Sequence, residues 1–216
     1  MISPERVEAL QSQFVEQLMP FGTKLAQLYP LFDRLVEAYS APERAYHNLE
    51  HLQEMFRVVS RLSPSPEMIL SIRLAVWYHD FVYDPRAKDN EMRSMEYMMR
   101  ELSIAQVPDT HLDRVRTLIL TTQYHNNPSN DIDIQILLDA DLAILGASPE
   151  RYQRYKRCIR QEYAHVEDAD YRQGRARVLQ QSLDRPFIYH TPLMREIGED
   201  AARLNLQGEL DELRRV

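Results

Sequence analysis

Apolar residues return every three or four positions through most of this chain, the period of helices with one buried face. Val7, Leu10, Phe14 and Leu18 set that spacing in a first helix. Leu25 and Leu28 open a second region, and the pattern restarts at Pro30 with Phe32, Leu35, Val36 and Tyr39. A third helix is predicted over about 43–62 and contains His47 and His51. A fourth follows Ser65 and carries Ile69, Ile72, Ala75, Val76 and His79. Further helices are expected over about 89–103, 109–125, 149–166, 169–184 and 192–205. Ser3-Pro4, Ser65-Pro66, Ser148-Pro149 and Thr191-Pro192 each precede such a pattern. Ser or Thr as N-cap with Pro at the first helical position is a helix-start signal. Asp131-Ile132-Asp133-Ile134-Gln135-Ile136 alternates like a strand, but the alternation fails over 137–142 and Gly146 offers a helix stop. Helix is the favoured reading there, and the expected fold is all-α, one helical domain over 1–216.

Composition narrows the picture. Five glycines in 216 residues are too few for a loop-rich or all-β chain. The lone Cys158 excludes an intramolecular disulfide and a cysteine-based zinc site, and is expected to be a buried or half-buried thiol. The charged N-terminus lacks the apolar core of a signal peptide, and no apolar run approaches the ~18 residues of a membrane span. A cytoplasmic protein without a membrane partner is the expectation. The net charge of −7 argues against a bulk nucleic-acid binder. Residues 151–177 carry eight Arg and Lys against four Asp and Glu, either a solvated helix face or a surface steering an anionic substrate. No phosphate-binding glycine loop and no nucleophilic Ser or Cys motif of hydrolase type occurs.

The candidate chemistry lies in three places. Trp77-Tyr78-His79-Asp80 ends an apolar helix with a histidine and a carboxylate side by side. Neighbours on a helix point about 100° apart, so both reach one ion only near a helix end or in a cleft. Tyr46-His47-Asn48-Leu49-Glu50-His51 spaces two histidines four apart, which puts them on one face of a helix. Asp139-Ala140-Asp141-Leu142 sets carboxylates in an apolar run, where they need a cation, an arginine or a helix N-terminus as partner. Imidazole and carboxylate together suit manganese, iron, cobalt, nickel or zinc better than magnesium.

These residues resemble the HD superfamily of metal-dependent phosphohydrolases, whose signature is a helical histidine, a His-Asp pair and a distant aspartate. More narrowly, the chain is similar to a bacterial group of predicted HD-domain phosphohydrolases of about this length. The matching phrases are Tyr46 to His51, Trp77-Tyr78-His79-Asp80-Phe81-Val82-Tyr83-Asp84, Asn90-Glu91 and Asp139 to Gly146, with Gly174-Arg175 and Ile188-Tyr189-His190-Thr191 later. The likeness covers about 40–205, the expected metal-binding core. It implies one divalent ion on His51, His79, Asp80 and Asp141, with His47 the rival of His51 for the first position. It also implies hydrolysis of a phosphate ester, such as a nucleotide or a small phosphorylated metabolite, by metal-activated water. Asp84 and Glu91 are then candidates for proton transfer. His47, at the mouth, and His125 are candidates for holding substrate. His111, His165 and His190 are expected to be structural or exposed.

Asp141 and Asp139 compete for the last ligand position. The helical neighbours of Asp141 are Leu137, Leu138, Ile144 and Leu145, all apolar; those of Asp139 are more mixed. Asp141 is therefore expected to point into the core and ligate, with Asp139 as a supporting or capping group.

Three other readings stand beside this one. His47 and His51 have zincin spacing, but Asn48 stands where the peptidase motif needs glutamate. A di-iron oxygenase of HD type would use two further histidines, for which His111 and His125 are available. A regulatory metal-binding module on the same scaffold needs the ligands without turnover.

Overall fold

The computed structural model describes residues 2–62, 66–124 and 130–215, and these form helices joined by short connections. In chain order the helices are α1 (Pro4–Leu18), α2 (Leu25–Tyr39), α3 (Leu49–Leu62), α4 (Pro66–Tyr78) and α5 (Asn90–Ile104). Then come α6 (Asp109–Thr122), α7 (Ile132–Asp141), α8 (Pro149–Glu162), α9 (Asp168–Leu183) and α10 (Pro192–Arg214). No strand occurs among the described residues, so the fold is all-α. The alternating segment at 131–136 is helical: the Asp131 carboxylate caps α7 by accepting from the Asp133 and Ile134 N–H groups. No helix is long and apolar enough to cross a membrane among the described residues.

The helix α4 organises the larger core. Ile72, Leu74, Ala75, Val76, Trp77 and Tyr78 are all buried, so the last turn and a half of this helix is covered on every side. The Trp77 ring meets Phe14 edge-on at 5.5 Å and Phe56 at 4.5 Å, and its indole N–H donates to Gln17 at 2.8 Å. These contacts fix the register of the helix two residues before His79. A second cluster joins Tyr152 of α8, Leu179 of α9, and Met194, Ala202, Leu206 and Leu210 of α10. Leu145, in the 3-10 turn over Leu142–Gly146, completes it.

Several expectations need correction. Pro30 does not restart a helix but lies inside α2. It removes the N–H that would bond the Ala26 carbonyl, and both residues are exposed, so water can take that carbonyl. The third helix begins at Leu49, not near 43, which leaves His47 in the preceding loop. Asn48 sets the start: its Oδ1 accepts from Glu50 N at 2.8 Å and His51 N at 3.4 Å. Of the Ser/Thr-Pro starts, Thr191 caps through its side chain, whereas Ser3 and Ser148 do not; Ser65 lies outside the described residues. The last helix runs on to Arg214, because Leu206 and Leu210 keep burying the same face. Gly146 ends a 3-10 turn, but space is what it provides. A Cβ there would lie 2.8 Å from the Tyr189 hydroxyl and 2.9 Å from the Gly198 carbonyl.

Most of the basic stretch is committed locally. Arg151 pairs with Glu54 at 2.8 Å, Arg154 with Glu50 at 3.2 Å and Arg160 with Asp168 at 3.5 Å. Lys156 pairs with Glu212, and the largely buried Arg175 pairs with Glu209 at 2.8 Å.

Candidate metal centre

His51 projects from the first turn of α3, His79 and Asp80 follow the last turn of α4, and Asp141 ends α7. These elements pack side by side, which gathers three distant stretches of sequence. His51, His79 and Asp141 each offer a ligand atom, and these atoms lie within 4.8 Å of one another. His51 Nε2 is 3.2 Å from Asp141 Oδ1, and His79 Nε2 is 3.9 Å from the same oxygen. Asp80 Oδ2 adds a second carboxylate 3.3 Å from His79 Nε2.

Both Nε2 atoms are buried, and neither makes a hydrogen bond of acceptable geometry among the described residues. The 3.2 Å approach of His51 Nε2 to Asp141 Oδ1 is a close contact that does not meet hydrogen-bond geometry. The His79 ring is fixed from behind. Its Nδ1–H donates to the Val76 carbonyl at 3.0 Å, which turns Nε2 toward the carboxylates. Buried polar atoms left in this way are costly unless something else meets them. Two imidazole nitrogens and the Asp141 carboxylate, gathered within 4.8 Å, fit a borderline divalent cation, and Asp80 adjoins this group beside His79.

The electrostatics carry the same demand. Burial pulls the His79 imidazole down, but Asp80 and then Asp141 outweigh it and hold the group up at about 9. Burial likewise pushes the Asp80 carboxyl up, and the opposing pull of His79 and His47 leaves it well below the usual carboxylate range. Without an ion, a proton on His79 supplies the positive charge this pair of carboxylates needs. Burial lowers His51, and Asp141 only partly offsets it, so His51 is in the neutral form that ligates.

Asp139 and Asp141 divide their roles, though the burial is the reverse of the expectation. Asp139 is the fully buried one; its two oxygens accept the His190 and Thr191 N–H groups at 2.7 Å each and tie the start of α10 to α7. Asp141 is half-buried and faces His51 and His79. A residue at a helix C-terminus looks out along the cleft, where neighbours counted by helical period no longer decide its surroundings.

The other candidates lie apart from this cluster, with one exception. Asp84 turns its carboxylate to the Arg86 N–H at 2.9 Å, and its backbone is bracketed by Asn90. Glu91 sits half-buried in the first turn of α5. No hydrogen bond or ion pair joins either to the cluster among the described residues. His111 contacts Ser71 Oγ at 3.1 Å and packs on Phe21, away from the centre, and the exposed His165 stacks on Tyr163. The His190 ring is half-buried. His125 lies outside the described residues. Cys158 is half-buried, and burial raises its thiol. The exception is His47, whose Nε2 is 4.0 Å from Asp80 Oδ2.

Three residues at the site were given no role by the sequence. Arg44 is buried and donates to the Asp80 carbonyl at 2.7 Å and the Phe81 carbonyl at 2.8 Å. It thereby satisfies carbonyls that follow α4 and clamps the His79-Asp80 turn. Tyr83 stacks on His47 with ring centroids 4.2 Å apart. Glu162 accepts from His47 and Tyr83. Glu162 had a readable signal: it continues the stripe Tyr152, Tyr155 and Ile159 on α8, where a carboxylate is out of place.

Beside the cluster, a cleft open to solvent is lined by His51, Tyr46 and Tyr155, with Arg6, Arg151 and Arg154 set against Glu50 and Glu54. It touches the centre through His51 alone. Compared with protein-family models, curated proteins and solved structures, the chain finds no match.

Proposed function

We propose that this chain is a metal-dependent phosphohydrolase of the HD type, holding one divalent ion on His51, His79, Asp80 and Asp141 and cleaving a phosphate ester. One observation carries the reading. Two buried imidazole nitrogens, each without a hydrogen bond among the described residues, converge on Asp141, and Asp80 lies beside one of them. When bound, such an ion supplies Lewis acidity that polarises a phosphoryl oxygen and activates water near neutral pH. The chain's own residues do the rest. Val76 and Arg44 hold the His79-Asp80 turn in place. His47 flanks Asp80 from the loop before α3 and is placed to hydrogen-bond a substrate oxygen. The neighbouring cleft sets Arg6, Arg151 and Arg154 against Glu50 and Glu54, so its arginines are largely paired and leave only a small positive excess.

The test is a phosphoester panel that includes nucleotides, cyclic nucleotides and small phosphorylated metabolites. It is run on metal-free protein repleted separately with manganese, cobalt, nickel, zinc and magnesium. Turnover is expected with at least one transition metal and is abolished by chelator. A fully loaded site that turns over nothing on the panel would overturn this reading in favour of a metal-binding regulatory module.

The metal-free His79 gives a second expectation. Its imidazole is held at about 9, so it is protonated at neutral pH and must lose that proton to ligate. Ion affinity should therefore rise about tenfold per pH unit from neutrality toward the His79 value, then level off. Calorimetric zinc titrations in two buffers of different ionisation enthalpy measure the release, expected to be about one proton per ion from this group. Affinity independent of pH would contradict it.

A further inference from the structure

Glu162 is the most heavily committed acidic side chain near the centre, yet it touches none of the four ligands. It ends α8, and its side chain is fully buried. Oε1 accepts the backbone N–H of Tyr46 at 2.7 Å and of His47 at 3.0 Å. Oε2 accepts the Tyr83 hydroxyl at 2.9 Å and lies 2.7 Å from His47 Nδ1. An ionised carboxylate only accepts, so Nδ1 must carry a hydrogen whatever the charge on the ring. Burial pushes the Glu162 carboxyl up, but the His47 ring and the two backbone N–H groups outweigh it and hold it below its ordinary value.

The His47 ring is also trapped sterically. Tyr83 stacks on it at 4.2 Å and Tyr46 meets it edge-on at 5.0 Å. With Nδ1 committed and the faces covered, Nε2 is the one ring nitrogen left to act. It stands 4.0 Å from Asp80 Oδ2, beyond direct hydrogen-bond reach, and with Nδ1–H held by Glu162 it donates to a substrate oxygen as the imidazolium and accepts from water or a hydroxyl when neutral. We propose that Glu162 is a positioning residue: it fixes the His47 tautomer and ring orientation so that Nε2 is presented beside Asp80 to the bound phosphoester. Its functional meaning rests on the phosphohydrolase reading; the tautomer assignment does not.

Glu162→Gln separates this role from support of the loop. The amide keeps one acceptor for the Tyr46 and His47 N–H groups but offers its NH2 to Nδ1, which must then become the acceptor. The direct readout is ring nitrogen NMR on histidine-labelled full chain, metal-free and zinc-loaded, in alkaline buffer where the ring is neutral. His47→Gln identifies the signal. The wild type is expected to carry its proton on Nδ1, and Glu162→Gln to carry it on Nε2 with unchanged zinc content. Tyr83→Phe keeps the carboxylate and should keep the wild-type tautomer. On a phosphoester the wild type turns over, Glu162→Gln should lower kcat about a hundredfold with KM within about twofold, the scale of a misplaced proton-handling group.

A wild-type ring protonated on Nε2 would overturn the proposal, and this holds even if the variant fails to fold. A variant tautomer identical to the wild type would overturn it too, as would loss of zinc from Glu162→Gln, which would make His47 a ligand. Absence of turnover in the loaded wild type would instead strike the phosphohydrolase reading and leave the tautomer result standing on its own.

Discussion

Asp139→Asn is expected to weaken the fold and leave the ion bound, while Asp141→Asn is expected to release the ion and leave the fold nearly intact. The two residues are separated by one position, so the contrast comes from what each carboxylate meets. Asp139 is fully buried and receives two backbone N–H groups at 2.7 Å. Burial raises its carboxyl, and these N–H groups only partly restore it. An asparagine amide keeps one oxygen for one of these two donors, and its NH2 faces the other. Leaving a buried donor unmet costs about 1–3 kcal/mol, so ~3 kcal/mol is the expected loss. In a chain of this size that lowers Tm by roughly 6–12 °C. The half-buried Asp141 loses little stability, but its amide has no charge to offer a cation. Thermal unfolding and zinc content of both variants decide the point. Loss of zinc from Asp139→Asn alone would show that the ligand has been placed one position from its true site.

The helices were legible because their apolar spacing is strong. Leu10, Phe14 and Leu18 of α1, or Phe32, Leu35 and Tyr39 of α2, mark buried faces that the structure keeps. What misled was punctuation. Pro30 reads as a break, but a proline on the exposed side of a helix loses one hydrogen bond that water can replace. Asn48 was the overlooked signal: as N-cap it places His47 before the helix, so the four-residue spacing of His47 and His51 does not mean a shared helical face. That single shift moves His47 from a rival ligand to the partner of Glu162.

At the candidate site, the adjacent His79 and Asp80 were visible because they follow a largely apolar helix. Their convergence with His51 and Asp141 is a matter of helix packing that no local pattern encodes. Arg44 and Tyr83 were invisible for a related reason. Arg44 bonds carbonyl oxygens, not a charged partner, and Tyr83 acts through a ring face, so neither leaves a charge pattern in the sequence.

His79→Ala bears on the account most heavily. His79 supplies a buried nitrogen that Val76 aims at both carboxylates, and it holds the positive charge between them when no ion is present. Alanine removes the proposed ligand and leaves Asp80 and Asp141 without that charge beside them. Ion affinity should fall by more than a hundredfold, beyond the 10- to 100-fold typical of a supporting group. Turnover should vanish with it, while helicity persists because Trp77 still anchors α4. The decisive measurement is the ion count per chain, by elemental analysis after zinc loading and desalting, for wild type and His79→Ala side by side. The account predicts about one ion in the wild type and none in the variant, at equal helicity. Equal metal content in the two proteins, or none in either, would contradict it.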